Sequence, residues 1–168
     1  HEGLVYVLNA DGSNNIAGFR NHDGRLEAVA GGTQPLSAAS GTGPAQVGFV
    51  EDGRSLIVTE KATNKLTTYR VRHDGGIDAP VVTASVGATP FGFAVDRRGT
   101  LLVSEAFGGA PGASALSSYS FAHNDPVMPI VVSPSVGTTQ SAACWVVVTP
   151  NGRYAYTTNT ASNTISLY

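Results

Sequence analysis

Two glutamates are the first groups in this chain of 168 residues that could do chemistry. Glu60 and Glu105 close the matching runs Leu56-Ile57-Val58-Thr59-Glu60 and Leu101-Leu102-Val103-Ser104-Glu105, and Asn9 and Asn159 close two further runs of the same kind. A carboxylate whose surroundings lift its pKa towards neutrality can act as general base on a water attacking a carbonyl carbon. The same carboxylate can instead cap a loop by accepting backbone N–H groups. Lys61, Gln140, Ser141, Asn9 and Asn159 are the candidate ligand-binding side chains around these two. Backbone N–H groups of Gly41-Thr42-Gly43 and Gly87-Ala88-Thr89 could stabilise a developing oxyanion.

These residues owe their positions to a repeat. An apolar residue, two spacers and an aromatic recur as Ile16…Phe19, Leu66…Tyr69, Leu116…Tyr119 and Ile165…Tyr168, with the aromatics 50, 50 and 49 residues apart. Each follows one of the runs that end in Asn9, Glu60, Glu105 or Asn159. Three of those runs are preceded by the turns Glu51-Asp52-Gly53-Arg54, Asp96-Arg97-Arg98-Gly99 and Pro150-Asn151-Gly152-Arg153, whose Gly, Asn and Asp supply hairpin geometry. Before each turn lies another β-type run: residues 46–50, 91–95 and 144–148. A fourth run closes each unit at 26–30, 81–85 and 127–133.

The unit is therefore four short strands in about 50 residues, with no segment periodic enough for a helix. That predicts an all-β fold, a β-propeller of four-stranded antiparallel blades. A β-sandwich also has short strands, but has no reason to repeat the same chemistry at every fourth one. The expected division is a partial blade over 1–43, whole blades over 44–89 and 90–142, and a partial blade over 143–168. The first partial blade supplies strands two to four and the last supplies strands one to three. The chain thus carries about half of a seven-bladed ring. An open arc leaves two apolar blade faces and raw strand edges, so a second copy or a further chain segment is expected to close it.

The blade frame sorts the remaining candidates. Loops joining second to third strands, and blade to blade, emerge on one face, and Glu60 and Glu105 belong there. Arg54, Arg97, Arg98 and Arg153 fall on the opposite face, leaving Lys61 and Lys65 as the basic residues near the glutamates. His22, His73 and His123 are spaced by 51 and 50 residues. They sit in outer turns of three different blades and cannot converge to within about 2.0–2.1 Å of one zinc ion. No metal or cofactor is expected. Phe49, Phe91, Phe93 and Trp145, on innermost strands, read as packing between blades, and Cys144 as a buried thiol. Residues 108–114 read as a long loop able to act as a lid.

Composition removes whole classes. The 12 acidic and 10 basic residues are interspersed and leave a formal charge of −2, which argues against a nucleic-acid surface. No apolar run approaches the length of a membrane-spanning helix. A single cysteine excludes an intrachain disulfide and a cysteine-rich zinc site. No signal segment is expected within these 168 residues, whether or not one was removed. A secreted or periplasmic location is expected, with a cytoplasmic one left open, while the few lysines and the Ser/Thr/Asn-rich loop face suit a scaffold and an enzyme alike.

The segment Pro150-Asn151-Gly152-Arg153-Tyr154-Ala155-Tyr156-Thr157-Thr158-Asn159, with Ser162–Tyr168 after it, resembles the YVTN-type propeller repeat. Long turns such as Arg70–Asp78, and the strand ending in Val103-Ser104-Glu105-Ala106-Phe107, resemble the lactonase-type seven-bladed propellers, a family that includes 6-phosphogluconolactonase and the carboxymuconate cyclases. Enzymes of that family use acidic, basic and histidine side chains in a central cleft to protonate or polarise a lactone. The resemblance implies a lactonase-like hydrolase working without a cofactor on a small-molecule lactone, with Glu60 and Glu105 as acid/base candidates. The alternative is a non-enzymatic YVTN-type propeller that presents its loops to a protein or carbohydrate partner outside the cytoplasm.

Overall fold

A computed structural model describes residues 3–168, the side chain of Glu51 excepted. Blade I holds β1 (Leu4–Asn9), β2 (Asn15–His22) and β3 (Arg25–Ala28), with a two-residue strand, β4 (Gln34–Pro35), also pairing β2. Blade II holds β5 (Pro44–Val50), β6 (Ser55–Glu60), β7 (Lys65–Arg70) and β8 (Val81–Ala84). Blade III is β9 (Pro90–Val95), β10 (Leu101–Glu105), β11 (Ala115–Ala122) and β12 (Asp125–Gly137). Blade IV is β13 (Ala143–Val148), β14 (Ala155–Asn159) and β15 (Thr164–Leu167). Every pairing is antiparallel between sequence neighbours, apart from the extra β2–β4 contact. The expected strands are all present. β4 was not foreseen, because two residues carry no periodicity.

The core lies between the blades. Leu56, Val58 and Tyr69 of blade II pack against Leu4 and Ile16 of blade I, and Ile57 and Leu66 pack against Phe93, Leu101 and Val103 of blade III. β6 is buried along its whole length, since both of its faces meet another blade. The repeated aromatic explains its own spacing. The Tyr69 hydroxyl donates to the Pro35 carbonyl (2.8 Å), the Val86 N–H donates to the Tyr119 hydroxyl (2.9 Å), and the Tyr168 hydroxyl donates to the Val136 carbonyl (3.1 Å). Each tyrosine therefore fastens its blade to the segment leaving the blade before it.

A second fastening runs the other way. The Thr59 hydroxyl donates to the Phe91 carbonyl (2.5 Å), and Ser104, at the equivalent place, donates to the Cys144 carbonyl. Innermost strands then approach so closely that a Cβ on Gly92 would stand 2.6 Å from the Cys144 carbonyl oxygen and 2.9 Å from the Trp145 Cα. Only glycine fits there.

Leu66, Leu116 and Ile165 hold the same place in three blades, yet their exposures are 0%, 5% and 68%. The difference is the neighbour: blades III and IV cover the first two, and no described blade covers the third. Val147 and Leu167 share that open flank.

Candidate functional site at the channel mouth

The innermost strands β5, β9 and β13 all start on the face that carries the blade-to-blade loops. Each is preceded by a residue in the left-handed region: Gly43 (φ 56°), Thr89 (φ 57°) and Ala142 (φ 56°). Their carbonyls accept the N–H groups of Lys61 (3.0 Å), Ala106 (3.0 Å) and Thr160 (2.9 Å), which tie the ends of the second strands to the channel. Immediately after these residues the register slips in all three blades, between Pro44 and Gln46, opposite Ser104, and between Ala143 and Val146. A bulge adds a residue to one strand and re-aims the side chains within it.

Here the bulges bring three side chains into a row. The Phe91 and Trp145 rings meet edge to face, with centroids 5.4 Å apart and planes at 89°. The Lys61 Nζ stands 4.6 Å from the centre of the Phe91 ring, a cation–π contact. The row crosses blades II, III and IV, and Trp145 is 50% exposed. Phe93 packs between blades as its position in the repeat predicts, whereas Phe91 and Trp145 do not behave as core. A strict alternation could not show this, because one bulged residue reverses the facing of those before it. The spacing gave no signal either, since Trp145 stands in register with Gly92, and Phe91 with Cys144. Cys144, in the same bulge as Trp145, is half-buried and accepts a hydrogen bond from the Thr160 hydroxyl at 3.0 Å.

The two glutamates lie beneath this row, inside the joints. Glu60 is fully buried, and its carboxylate accepts the Ser37 N–H (3.0 Å), the Ser37 hydroxyl, and the hydroxyls of Thr63 (2.8 Å) and Thr67 (2.6 Å). Ser37 belongs to the loop arriving from blade I. Glu105, also fully buried, accepts the Gly87 N–H (2.9 Å) and the Ser135 hydroxyl. Gly87 belongs to the loop arriving from blade II, and a Cβ on it would fall 2.1 Å from the Glu105 Oε2. Burial, with the nearby Glu60 charge adding to it, pushes the Tyr69 phenol above its ordinary range. Each carboxylate thus takes donors both from the loop arriving from the previous blade and from its own blade.

The other candidates are spread along the same face. Asn9 is exposed and bonds to the Asn15 side chain at 2.8 Å. The Gln140 side chain accepts the Thr164 hydroxyl at 3.0 Å, and the Ser141 hydroxyl accepts the Gly112 N–H at 2.9 Å. Both therefore brace loops at the joint of blades III and IV. Asn159 is buried, donates to Thr164 (3.2 Å) and Ser166 (2.8 Å), and its Oδ1 has no partner among the described residues. Of the sequence candidates, Lys61 alone joins the aromatic row. The three histidines sit on the opposite face, in or beside the outer turns of blades I to III. Among the described residues no helix is long and apolar enough to cross a membrane.

Fold and site together define a partial β-propeller, an arc of antiparallel blades that carries an aromatic row where its innermost strands begin. Residues 2–106 match the family described as lactonase, 7-bladed beta-propeller, and the chain belongs to that family. No protein of curated function matches the sequence at a significant level. Among solved structures, the chain is similar to a Bacteroides uniformis protein provisionally assigned as a 6-phosphogluconolactonase, with a TM-score of 0.79 at 15% identity over 99% of this chain and 50% of that one. It is similar to a functionally unknown protein from Desulfotomaculum acetoxidans (TM-score 0.76, 16% identity, 99% and 50% covered). A third is the periplasmic gluconolactonase of Pseudomonas aeruginosa (TM-score 0.75, 14% identity, 98% and 46% covered). The chain spans about half the length of these structures.

Proposed function

We propose that the chain forms the substrate-holding half of a lactone hydrolase, with the ring-opening reaction taking place at the channel mouth. The observation that carries this reading is the Lys61–Phe91–Trp145 row in a chain of the lactonase family. Aromatic side chains offer flat apolar surface, which suits one face of a small ring. An ammonium at its end can donate to a lactone carbonyl oxygen and stabilise the oxyanion that forms when water attacks. Glu60 and Glu105 act as positioning residues: each holds an arriving loop against its own blade and so fixes Lys61 and the bulges. A general base must reach the attacking water. We assign that base to the blades that complete the ring, because the described carboxylates of the joints are already engaged. The Thr158 hydroxyl supports a further blade on the open flank. It repeats Thr59 and Ser104, accepts the Trp145 N–H at 3.2 Å as Ser104 accepts that of Gly92, and faces outward where its equivalents meet a carbonyl.

Trp145 is the sole tryptophan, so its emission reports on the row directly. Titration with an aldono-δ-lactam, a lactone analogue that water does not open, is expected to shift that emission to saturation. Phe91→Ala and Lys61→Met are expected to weaken the effect at least tenfold. An unchanged emission with lactams of five- and six-membered rings would refute the reading and leave the loop face as a scaffold for a macromolecular partner.

A further inference from the structure

We propose that the groove between blades II and III, on the face opposite the channel mouth, is a binding site for a small ligand bearing a phosphate-type oxyanion. The cavity there has a volume of about 890 Å³, in the range of small-ligand pockets. Phe49, Val50 and Val95 give it an apolar floor, and Arg54, Arg97, Arg98 and His123 line its walls. The two hairpin turns that frame it belong to adjacent blades. The Arg54 Nη1 donates to the His123 carbonyl at 3.2 Å, so this guanidinium is held across the groove.

The state of the charges points to an anion. Asp96 lines the groove, but its Oδ1 accepts the N–H groups of Arg98 (2.8 Å) and Thr100 (2.8 Å) and serves its own turn. Asp52 is the other acid among the described lining side chains. Arg97 and Arg98 are exposed, and among the described residues no hydrogen bond or ion pair engages either guanidinium. The neighbouring joint shows the alternative. There Arg20 donates to the Asp74 carbonyl (3.0 Å), and Arg72 donates to the Ile77 carbonyl (2.7 Å) and pairs with Asp74 (3.4 Å) and Asp78 (3.4 Å). The chain satisfies its arginines between blades I and II and leaves two of them open between blades II and III, around a cavity.

Guanidinium forks match the paired oxygens of phosphate, and two adjacent forks favour a dianion over a single carboxylate. The volume sets the scale at a small molecule. This site is separate from the channel mouth and does not depend on the lactone reading.

The test is a titration of isotope-labelled protein followed by amide resonances, with inorganic phosphate, pyrophosphate and citrate as probes at constant ionic strength. Phosphate and pyrophosphate are expected to shift the amides of residues 96–100 and 53–54 to saturation. The double variant R97Q/R98Q should weaken binding at least tenfold, and R97K/R98K, which keeps the charge but loses the fork, should fall between. Lys65→Gln, on the other face, should change nothing. Linear shifts spread over Arg25 and Arg153 as well would mean ionic screening only and would overturn the proposal. Saturation by citrate with none by phosphate would overturn the assignment of the ligand.

Discussion

Replacing Glu60 separates a clasp from a catalytic base. In Glu60→Ala the half-buried Ser37 N–H and the fully buried Thr67 hydroxyl lose their acceptor, and Thr67 cannot reach water without opening the joint. The Ser37 and Thr63 hydroxyls can rotate and cost less. A buried donor left without a partner costs about 1–3 kcal/mol, so two of them place the loss at roughly 2–6 kcal/mol. Relief of the buried charge moves the total towards the lower end, about 3 kcal/mol. For a domain of this size that corresponds to a fall in Tm of roughly 6–12 °C. Urea unfolding followed by Trp145 emission measures the loss. The isosteric Glu60→Gln keeps most of the donors satisfied and should leave lactam affinity within threefold. A Glu60→Ala protein within 1 kcal/mol of the parent, or a Glu60→Gln protein that keeps its stability and loses ligand affinity a hundredfold, would refute the clasp.

Three further outcomes follow from the joints. Gly92→Ala places a Cβ against the Cys144 carbonyl and the Trp145 backbone. It should destabilise the chain by about 1–3 kcal/mol in urea and shift the Trp145 emission. Tyr119→Phe removes the acceptor of the Val86 N–H and of the buried Ser117 hydroxyl, whereas Tyr69→Phe removes only a donor to the Pro35 carbonyl. The first should cost about 1–3 kcal/mol and the second about 0.5–1.5 kcal/mol, and the reverse order by thermal unfolding would contradict the assignment. Burial pushes Tyr6 and Tyr168 up to about 12 from the ordinary 10. A raised phenol favours the folded state fully below pH 10, and that contribution is lost as the pH rises from 10 through 12. Absorbance at the phenolate band should show a late-titrating fraction that disappears in urea.

The blade order was legible because a fifty-residue period survives in the spacing of the aromatics, and each aromatic keeps its place for a physical reason, the grip on the previous blade's exit. Glu60 and Glu105 were legible as equivalent positions. Their role was not, because it depends on Ser37, Thr63, Thr67, Gly87 and Ser135, which come from four separate segments and form no motif. Phe91 and Trp145 were misread as packing because three register slips at the channel mouth are invisible to an alternating pattern. Ile165 shows the converse limit: an apolar residue in register with Leu66 states what it can pack against and does not state whether a neighbour is there.

The two-way fastening between blades has a consequence for how the molecule comes apart. Each joint is closed by groups from adjacent blades alone, so the free energy is a sum of nearest-neighbour couplings, as in other repeat proteins. A blade held on both sides opens less often than one held on a single side, so in the 168-residue chain amides of blades II and III should exchange more slowly than those of blades I and IV. A lesion in one joint would then uncouple the arc into two cooperative pieces with separate melting transitions. A lesion in a terminal blade would only shorten the part that melts as one.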